Sequence, residues 1–268
     1  MTYWFAGQPV EGTELTLAIN EPAFFYGATV FTTLRVYQND LAHPLTRWTD
    51  HLHRLRHGLA VFQWPEPDWD RVRQGAEWLK SSFPVLRITC LPDGRELVTG
   101  RFLPSDLDQM QAQGITAWLA TGDLYRRALP GYKTGNYLAG WLALQEAQRR
   151  KAREAILMNK AGHWLETSTG NLWGWADGQW WTPPLNDDLL PGVTRLHLLE
   201  HLQHQGISVC KSPWSAASVY QFEALAYSNT GVQIVPVHTV QGNRSTLKFD
   251  PHHRSLQTLR AAFEEGKV

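Results

Sequence analysis

Two cysteines in 268 residues, Cys90 and Cys210, exclude a disulfide framework. They lie far apart and form no CxxC pair, so a reducing compartment is the simple reading. Charge of one sign is also missing, with 25 Lys+Arg against 25 Asp+Glu. Affinity for a phosphate backbone or an anionic bilayer rests on surplus cations, so nucleic acid and membrane surfaces are not expected partners. A small anionic ligand held by a few local arginines stays open. No apolar run is long enough to span a bilayer, and the opening MTYWFAGQPVEG lacks the basic-then-apolar order of a signal peptide. A cytoplasmic protein is expected. Internal repeats and low-complexity tracts are absent as well. What is present is core: 43% of residues are hydrophobic and thirteen are tryptophan. That suffices for one large domain or two small ones.

Residue patterns predict short strands at 2–6 and 13–19 around GQPVEG, and a clear strand at 30–37, VFTTLRVY. Leucines at 52, 55 and 59 predict a helix over 46–62, with Thr46 or Thr49 as cap. A second helix follows at 68–82, then a hairpin of 85–91 and 95–103 around PDG. The polar stretch 104–114 reads as a linker or boundary. Beyond it come a strand at 115–120, a helix at 136–150, and strands at 155–158, 163–166, 172–176 and 179–182. A helix at 192–205, strands at 207–210, 224–228 and 233–240, and a closing helix at 256–265 complete the series. Strands cluster and helices cover them without regular βαβα alternation, which is an α+β pattern in two parts.

One stretch is hard to explain as surface. GYKTGNYLAG, residues 131–140, sets Lys133 among glycines, small residues and tyrosines, just before a helix start. A cation is poorly placed at the positive end of a helix dipole, and an amine whose charge is disfavoured is a potential nucleophile. LETSTGNLW follows, with Glu166 ending a short strand and Asn171 beyond four small or polar residues. LLPGVTRLHLLE puts Val193 and Thr194 in the first turn of a helix, where free N–H groups and a hydroxyl suit an anion. YSNTG adds Ser228, Asn229 and Thr230, and HLHRL places Arg54, able to donate two hydrogen bonds to a phosphate. Singly, each stretch is also what an ordinary loop, capped helix or surface charge looks like.

Taken in order, these pieces supply an amine, a carboxylate for a pyridinium nitrogen and a phosphate cradle, the needs of pyridoxal 5'-phosphate. They resemble the fold-type IV family of branched-chain aminotransferases, D-amino-acid aminotransferases and 4-amino-4-deoxychorismate lyases. The matching positions are Tyr26, Gly27, Phe31, Thr33, Arg35 and Val36; His51, Arg54 and Leu55; Lys133 and Asn136; Glu166, Asn171 and Leu172; and Leu190, Gly192 and Arg195. The resemblance implies a two-domain, D-amino-acid-aminotransferase-like α+β fold with the cofactor between the domains. It divides the chain into an N-terminal α/β domain at 1–110, a linker and start of the second domain at 111–122, and a cofactor-binding domain at 123–268. It implies that Lys133 holds the cofactor as a Schiff base and shuttles protons, and that Glu166 keeps the ring nitrogen protonated. Arg54, Val193, Thr194 and Thr230 would hold the phosphate, with Asn171, Ser228 and Asn229 beside them. It also implies a homodimer.

Within the family, the spacing K-T-G-N and the pair Thr32-Thr33 in FTTLRV are similar to the lyase branch, whereas Asn136-Tyr137-Leu138 is similar to the branched-chain branch. The acidic–glycine pair usual after Tyr26-Gly27 is replaced by Ala28-Thr29. A lyase would release pyruvate and form 4-aminobenzoate for folate synthesis; the alternative is a branched-chain or D-amino-acid aminotransferase. The lyase substrate carries two carboxylates, which makes Arg87, Arg126 and Arg127 candidates for it beside Tyr26 and Thr33. Two other classes compete. His53/His57 and His197/His201, each four apart, with His204 following, have metal-ligand spacing, but there is no HExxH and no evident carboxylate ligand, so no metal is expected. A binding protein with a decayed site would have lost one of the elements above.

Overall fold

In the computed structural model of the chain, which describes residues 2–186, 188–242 and 245–264, the backbone reverses almost at once. Ala6 and Gly7 have φ of 49° and 80°, the geometry of a two-residue hairpin turn that matches strand twist. Strand β1 (Thr2–Phe5) therefore pairs with β2 (Gln8–Glu11), Phe5 opposite Gln8. The second strand thus lies inside the stretch expected to be turn. Residues 13–19, expected as a strand, form none; they are mostly exposed and have no neighbouring strand to bond.

The chain forms two compact units, Met1–Pro104 with Tyr132–Tyr137, and Ser105–Gly131 with Leu138–Val268. The first contains α1 (Pro22–Phe25), β3 (Val30–Arg35), α2 (Trp48–Phe62), α3 (Trp69–Lys80), β4 (Val85–Cys90) and β5 (Glu96–Arg101). Its antiparallel sheet runs β2-β1-β5-β4-β3. Alternation sorts the side chains. Val30, Leu34, Leu86, Ile88 and Val98 pack on Leu55, Leu59, Val72 and Leu79 of the two long helices. The opposite face carries the row Thr33, Arg87, Thr99 and Tyr3, in register across four strands. Neither threonine caps α2: Arg47, at φ 53°, precedes it, and Thr49 lies within it. The Thr46 hydroxyl instead donates to Asp40 O at 2.9 Å and accepts from Tyr37 N at 3.2 Å. Asp68 does cap α3, accepting from Asp70 N and Arg71 N.

The second unit opens with α4 (Leu107–Gln113), where the sequence reads as linker. Leu107 and Met110, three apart, are buried, and the Gln111 carboxamide donates to Val232 O at 2.8 Å, which anchors this polar helix. Then follow β6 (Ile115–Ala120), α5 (Leu138–Arg149), β7 (Glu154–Met158), β8 (Trp164–Thr167), β9 (Asn171–Ala176), β10 (Gln179–Trp181) and α6 (Val193–His204). β11 (Val209–Cys210), α7 (Ala216–Val219), β12 (Ala224–Asn229), β13 (Gln233–Gln241), β14 (Thr246–Lys248) and α8 (Leu256–Ala261) complete the unit. The expected end of the last helix, Glu265, lies outside the described residues.

Nine strands form one sheet, β11-β10-β9-β12-β13-β6-β7-β8, with β14 on β13. A further pairing of β8 with β9 closes a ring through β12, β13, β6 and β7. Its register is Glu166 opposite Asn171. Helices α6 and α8 cover one part, burying Trp173, Trp180, Leu198, Leu202 and Leu259. α5 lays Ala143 and Ala147 against Trp118 and Leu157. Among the described residues no helix is long and apolar enough to cross a membrane.

Candidate active site

In the first unit, Lys133 is held by β-type pairing. Phe31 N donates to Lys133 O at 2.8 Å, Thr134 bridges Val30, and Gly135 N donates to Thr29 O at 2.8 Å. The approach is so close that a Cβ at Gly135 would lie 2.3 Å from the Thr29 hydroxyl. The lysine is thus fixed at the start of β3. Its Nζ lies 4.9 Å from the Phe31 ring centre and 5.2 Å from that of Tyr137. Arg87 Cζ lies over the same Phe31 ring at 3.4 Å. Two cations therefore share one aromatic ring on the polar face of the sheet. Arg87 Nε donates to Thr89 Oγ1 at 3.3 Å, and among the described residues Arg87 has no carboxylate partner. Burial, then the charge of Arg101, lowers its pKa to about 10. Thr33 stands opposite Arg87 in the sheet, whereas Tyr26 is 77% exposed.

Arg54, on α2, is likewise desolvated without a carboxylate among the described residues. Its Nη2 donates to the Thr32 hydroxyl at 2.6 Å, its Nε has no partner, and burial lowers its pKa to about 10. A guanidinium withdrawn from water and left without an anion is a costly arrangement unless a ligand supplies one. The Thr32 hydroxyl in turn lies 2.7 Å from Nδ1 of the fully buried His51.

In the second unit Glu166 and Asn171 hold the backbone N–H and C=O of Leu190, and Arg127 pairs with Glu166. Glu166 Oε2 accepts from Leu190 N at 3.2 Å and Asn171 Nδ2 donates to Leu190 O at 3.0 Å. Arg127 Nη1 donates to Glu166 Oε1, both side chains being 5% exposed. Asn171 sits so near the helix start that a Cβ at Gly192 would lie 2.1 Å from its Oδ1. A cavity of about 400 Å³ is lined by Arg127, Glu166, Arg126, Tyr125 and Asp188, among others. Arg126 pairs with Asp123.

Helix α6 begins at Val193 without a side-chain cap, and Thr194 Oγ1 lies 3.2 Å from Thr230 Oγ1. Two hydroxyls and open backbone N–H groups thus meet at the positive end of a twelve-residue helix. Ser228 and Asn229 are engaged in the fold. Trp173 Nε1 donates to Ser228 Oγ at 3.0 Å. Asn229 Oδ1 accepts from Gly231 N and Val232 N at 2.9 and 3.0 Å, shaping the loop that presents Thr230. Asn229 Nδ2 donates to Thr169 Oγ1, whose own proton goes to the buried Glu154. Sequence reasoning assigned no role to Glu154, Thr32 or His51. The signal for the last two was the adjacency of His51 and Arg54 on one helix and the alternation of β3.

Among the described residues no group of three or more His, Cys, Asp and Glu side chains is placed to hold a metal. His197 lies 2.8 Å from Ala262 O and His57 stacks on Tyr132. Each unit by itself carries groups that fit a phosphorylated pyridine: in the first, an Arg54 without a carboxylate among the described residues suits a phosphate; in the second, the Thr194–Thr230 hydroxyls suit a phosphate and the buried Glu166 carboxylate suits a ring nitrogen.

Comparison with known proteins gives the same result. The model for class IV amino-transferases matches residues 29–240. A branched-chain-amino-acid aminotransferase of Salmonella typhimurium is 27% identical over 270 residues, covering 89% of this chain and 84% of the relative. An aminodeoxychorismate lyase of Vibrio harveyi is 24% identical over 263 residues, covering 92% and 94%. In fold, the chain is similar to a hypothetical aminotransferase from Mycobacterium tuberculosis in its PLP-bound form, with a TM-score of 0.82, 21% identity and 98% coverage of each chain.

Proposed function

The chain belongs to the class IV aminotransferase family, whose cofactor is pyridoxal phosphate, and we propose that within it the protein is a 4-amino-4-deoxychorismate lyase. The observation that carries this reading is Arg87. It lies over Phe31 beside Lys133, desolvated, with no acidic partner among the described residues. A substrate with two carboxylates satisfies it, while an aliphatic side chain placed there leaves a guanidinium unpaired.

Pyridoxal phosphate, when bound, supplies an electron sink for the charge released at the amine-bearing carbon. Lys133 Nζ takes the proton from that carbon. The bond between the ring and the enol-pyruvyl oxygen breaks, the proton passes to the departing group, and pyruvate and 4-aminobenzoate result. Arg87 would orient a substrate carboxylate, Arg54, Val193, Thr194 and Thr230 would hold the phosphate, and Glu166 would keep the ring nitrogen protonated. Arg127, engaged with Glu166, serves that carboxylate rather than the substrate.

An aminotransferase is the second reading, favoured by the higher identity to the Salmonella enzyme. Purified protein mixed with 4-amino-4-deoxychorismate, made in situ by its synthase, separates the two. Fluorescent 4-aminobenzoate formed without any 2-oxo acid supports the lyase. Absence of that product, with glutamate formed from 2-oxoglutarate and a branched-chain or D-amino donor, establishes the aminotransferase.

A further inference from the structure

In the first unit a polar chain runs from Arg54 to two buried residues, Thr32 and His51, that the reaction above does not use. Arg54 Nη2 donates to Thr32 Oγ1 at 2.6 Å, and Thr32 Oγ1 lies 2.7 Å from His51 Nδ1. A guanidinium has only donors, so Thr32 accepts from Arg54 and keeps its own proton to give. The imidazole tautomer that takes this proton has Nδ1 as the acceptor and carries its own proton on Nε2. That Nε2 is buried and has no partner among the described residues. Burial first, then the charges of Arg54, Lys133 and Arg47, push the imidazole pKa well below its ordinary value, so the ring stays neutral at pH 7. Were it protonated, both ring nitrogens would be donors and the Thr32 hydroxyl could no longer give its proton to the ring.

The rest of the site leaves Arg54 little other support. Its Nε is unpaired, and no carboxylate among the described residues fixes its head. A long side chain with free rotamers loses entropy when it must meet an anion in one geometry. A hydroxyl locked in direction by an imidazole removes that freedom before the ligand arrives. A carboxylate in the same place would neutralise the charge the ligand needs; a neutral relay orients the guanidinium and leaves its charge available.

We propose that Thr32 and His51 are positioning residues for phosphate binding: a neutral imidazole directs the Thr32 hydroxyl, and the hydroxyl holds Arg54 in its anion-binding pose. The proposal rests on the reading that Arg54 binds the cofactor's phosphate, and the test separates the two. Apo-protein is titrated with pyridoxal phosphate and with pyridoxal, which lacks the phosphate, and the ratio of the two dissociation constants is read for each variant. Inorganic phosphate serves as a third probe, by its protection of the apo-protein against thermal unfolding.

Arg54→Gln comes first. It is expected to weaken pyridoxal phosphate far more than pyridoxal; an unchanged ratio overturns both the phosphate reading and the relay. Thr32→Val, similar in shape and lacking the hydroxyl, is expected to weaken pyridoxal phosphate by about tenfold with pyridoxal unchanged. Thr32→Ser, which keeps the hydroxyl, should stay near wild type. His51→Leu should reproduce Thr32→Val, and His51→Asn, which keeps an acceptor, should recover much of the loss. If Arg54→Gln shifts the ratio and Thr32→Val lowers both affinities equally, the relay falls and Thr32 is a packing residue. If Thr32→Val does not fold, the comparison of His51→Leu with His51→Asn decides by the same ratio.

Discussion

Arg54 and Arg127 are both withdrawn from water, one in each unit, and their surroundings are opposite. Arg127 meets a carboxylate, Glu166, which also accepts from Leu190 N. Arg54 meets a neutral hydroxyl and, among the described residues, no carboxylate. The same contrast runs through the neighbouring residues. In the second unit Asn171, Ser228 and Asn229 all have partners within the fold. In the first unit Arg87 has no acid among the described residues and His51 Nε2 has no partner. In the second unit the carboxylate and the amides of the site are held by partners within the fold. The other stores unsatisfied positive charge that only an incoming anion relieves. A charge kept available in this way costs stability, and sites that bind or react are where such costs are found.

The largest effect that sharpens this contrast is expected at Lys133. Its backbone is pinned by Phe31 and its side chain is the only amine proposed to move a proton. Lys133→Ala should lower turnover by about 10⁴-fold, the span a positioned proton-transfer group supplies. The apo-protein should unfold at nearly the wild-type denaturant concentration, because the β-type pairing at 133–135 is made by backbone. Retained turnover would remove Lys133 from the chemistry.

Next come the two arginines themselves, with effects of opposite sign on the apo-protein. Arg127→Met leaves Glu166 buried beside no guanidinium and is expected to cost about 3 kcal/mol in denaturant unfolding. Arg54→Gln removes a desolvated charge that no carboxylate compensates, so the apo-protein should be unchanged or about 1 kcal/mol more stable. Equal destabilisation by both would erase the distinction between a prepaired unit and an open one.

Much of this was legible in the chain, and the failures have physical reasons. Long elements were found because their periods were strong: leucines 52, 55 and 59 line the buried side of α2. β3 was found because VFTTLR is β-branched and aromatic. α4 was missed because only Leu107 and Met110 are buried in an otherwise polar stretch, and its remaining hold comes from Gln111 and Arg260. The strand expected at 13–19 had propensity but no partner. In the site, residue types were readable and partnerships were not. Nothing in RALPG or LETS says that Arg127 meets Glu166, because ion pairs across 39 residues depend on the closed ring of strands.

The smallest effect concerns pH. His51 has a folded-state pKa well below its ordinary 6.5, from burial and from three cations. Folding therefore keeps the imidazole neutral while the unfolded chain takes up a proton below about 6.5. The stability tied to His51 is present in full above that value and is lost as pH falls through the window between 6.5 and the depressed folded value. Between pH 6.5 and 5.5 the loss should be about 1 kcal/mol. His238 shifts in the same direction, by burial and then by Lys248, so the wild-type profile alone mixes the two. The difference between wild type and His51→Asn isolates one of them. Denaturant midpoints of the two apo-proteins should run parallel above pH 7 and converge or cross as the pH drops to 5.5. Parallel profiles throughout would mean that His51 is as easily protonated in the fold as out of it. A protonated ring has no acceptor for Thr32, so that outcome would confine the fixed hydroxyl of Arg54 to pH values above about 6.5.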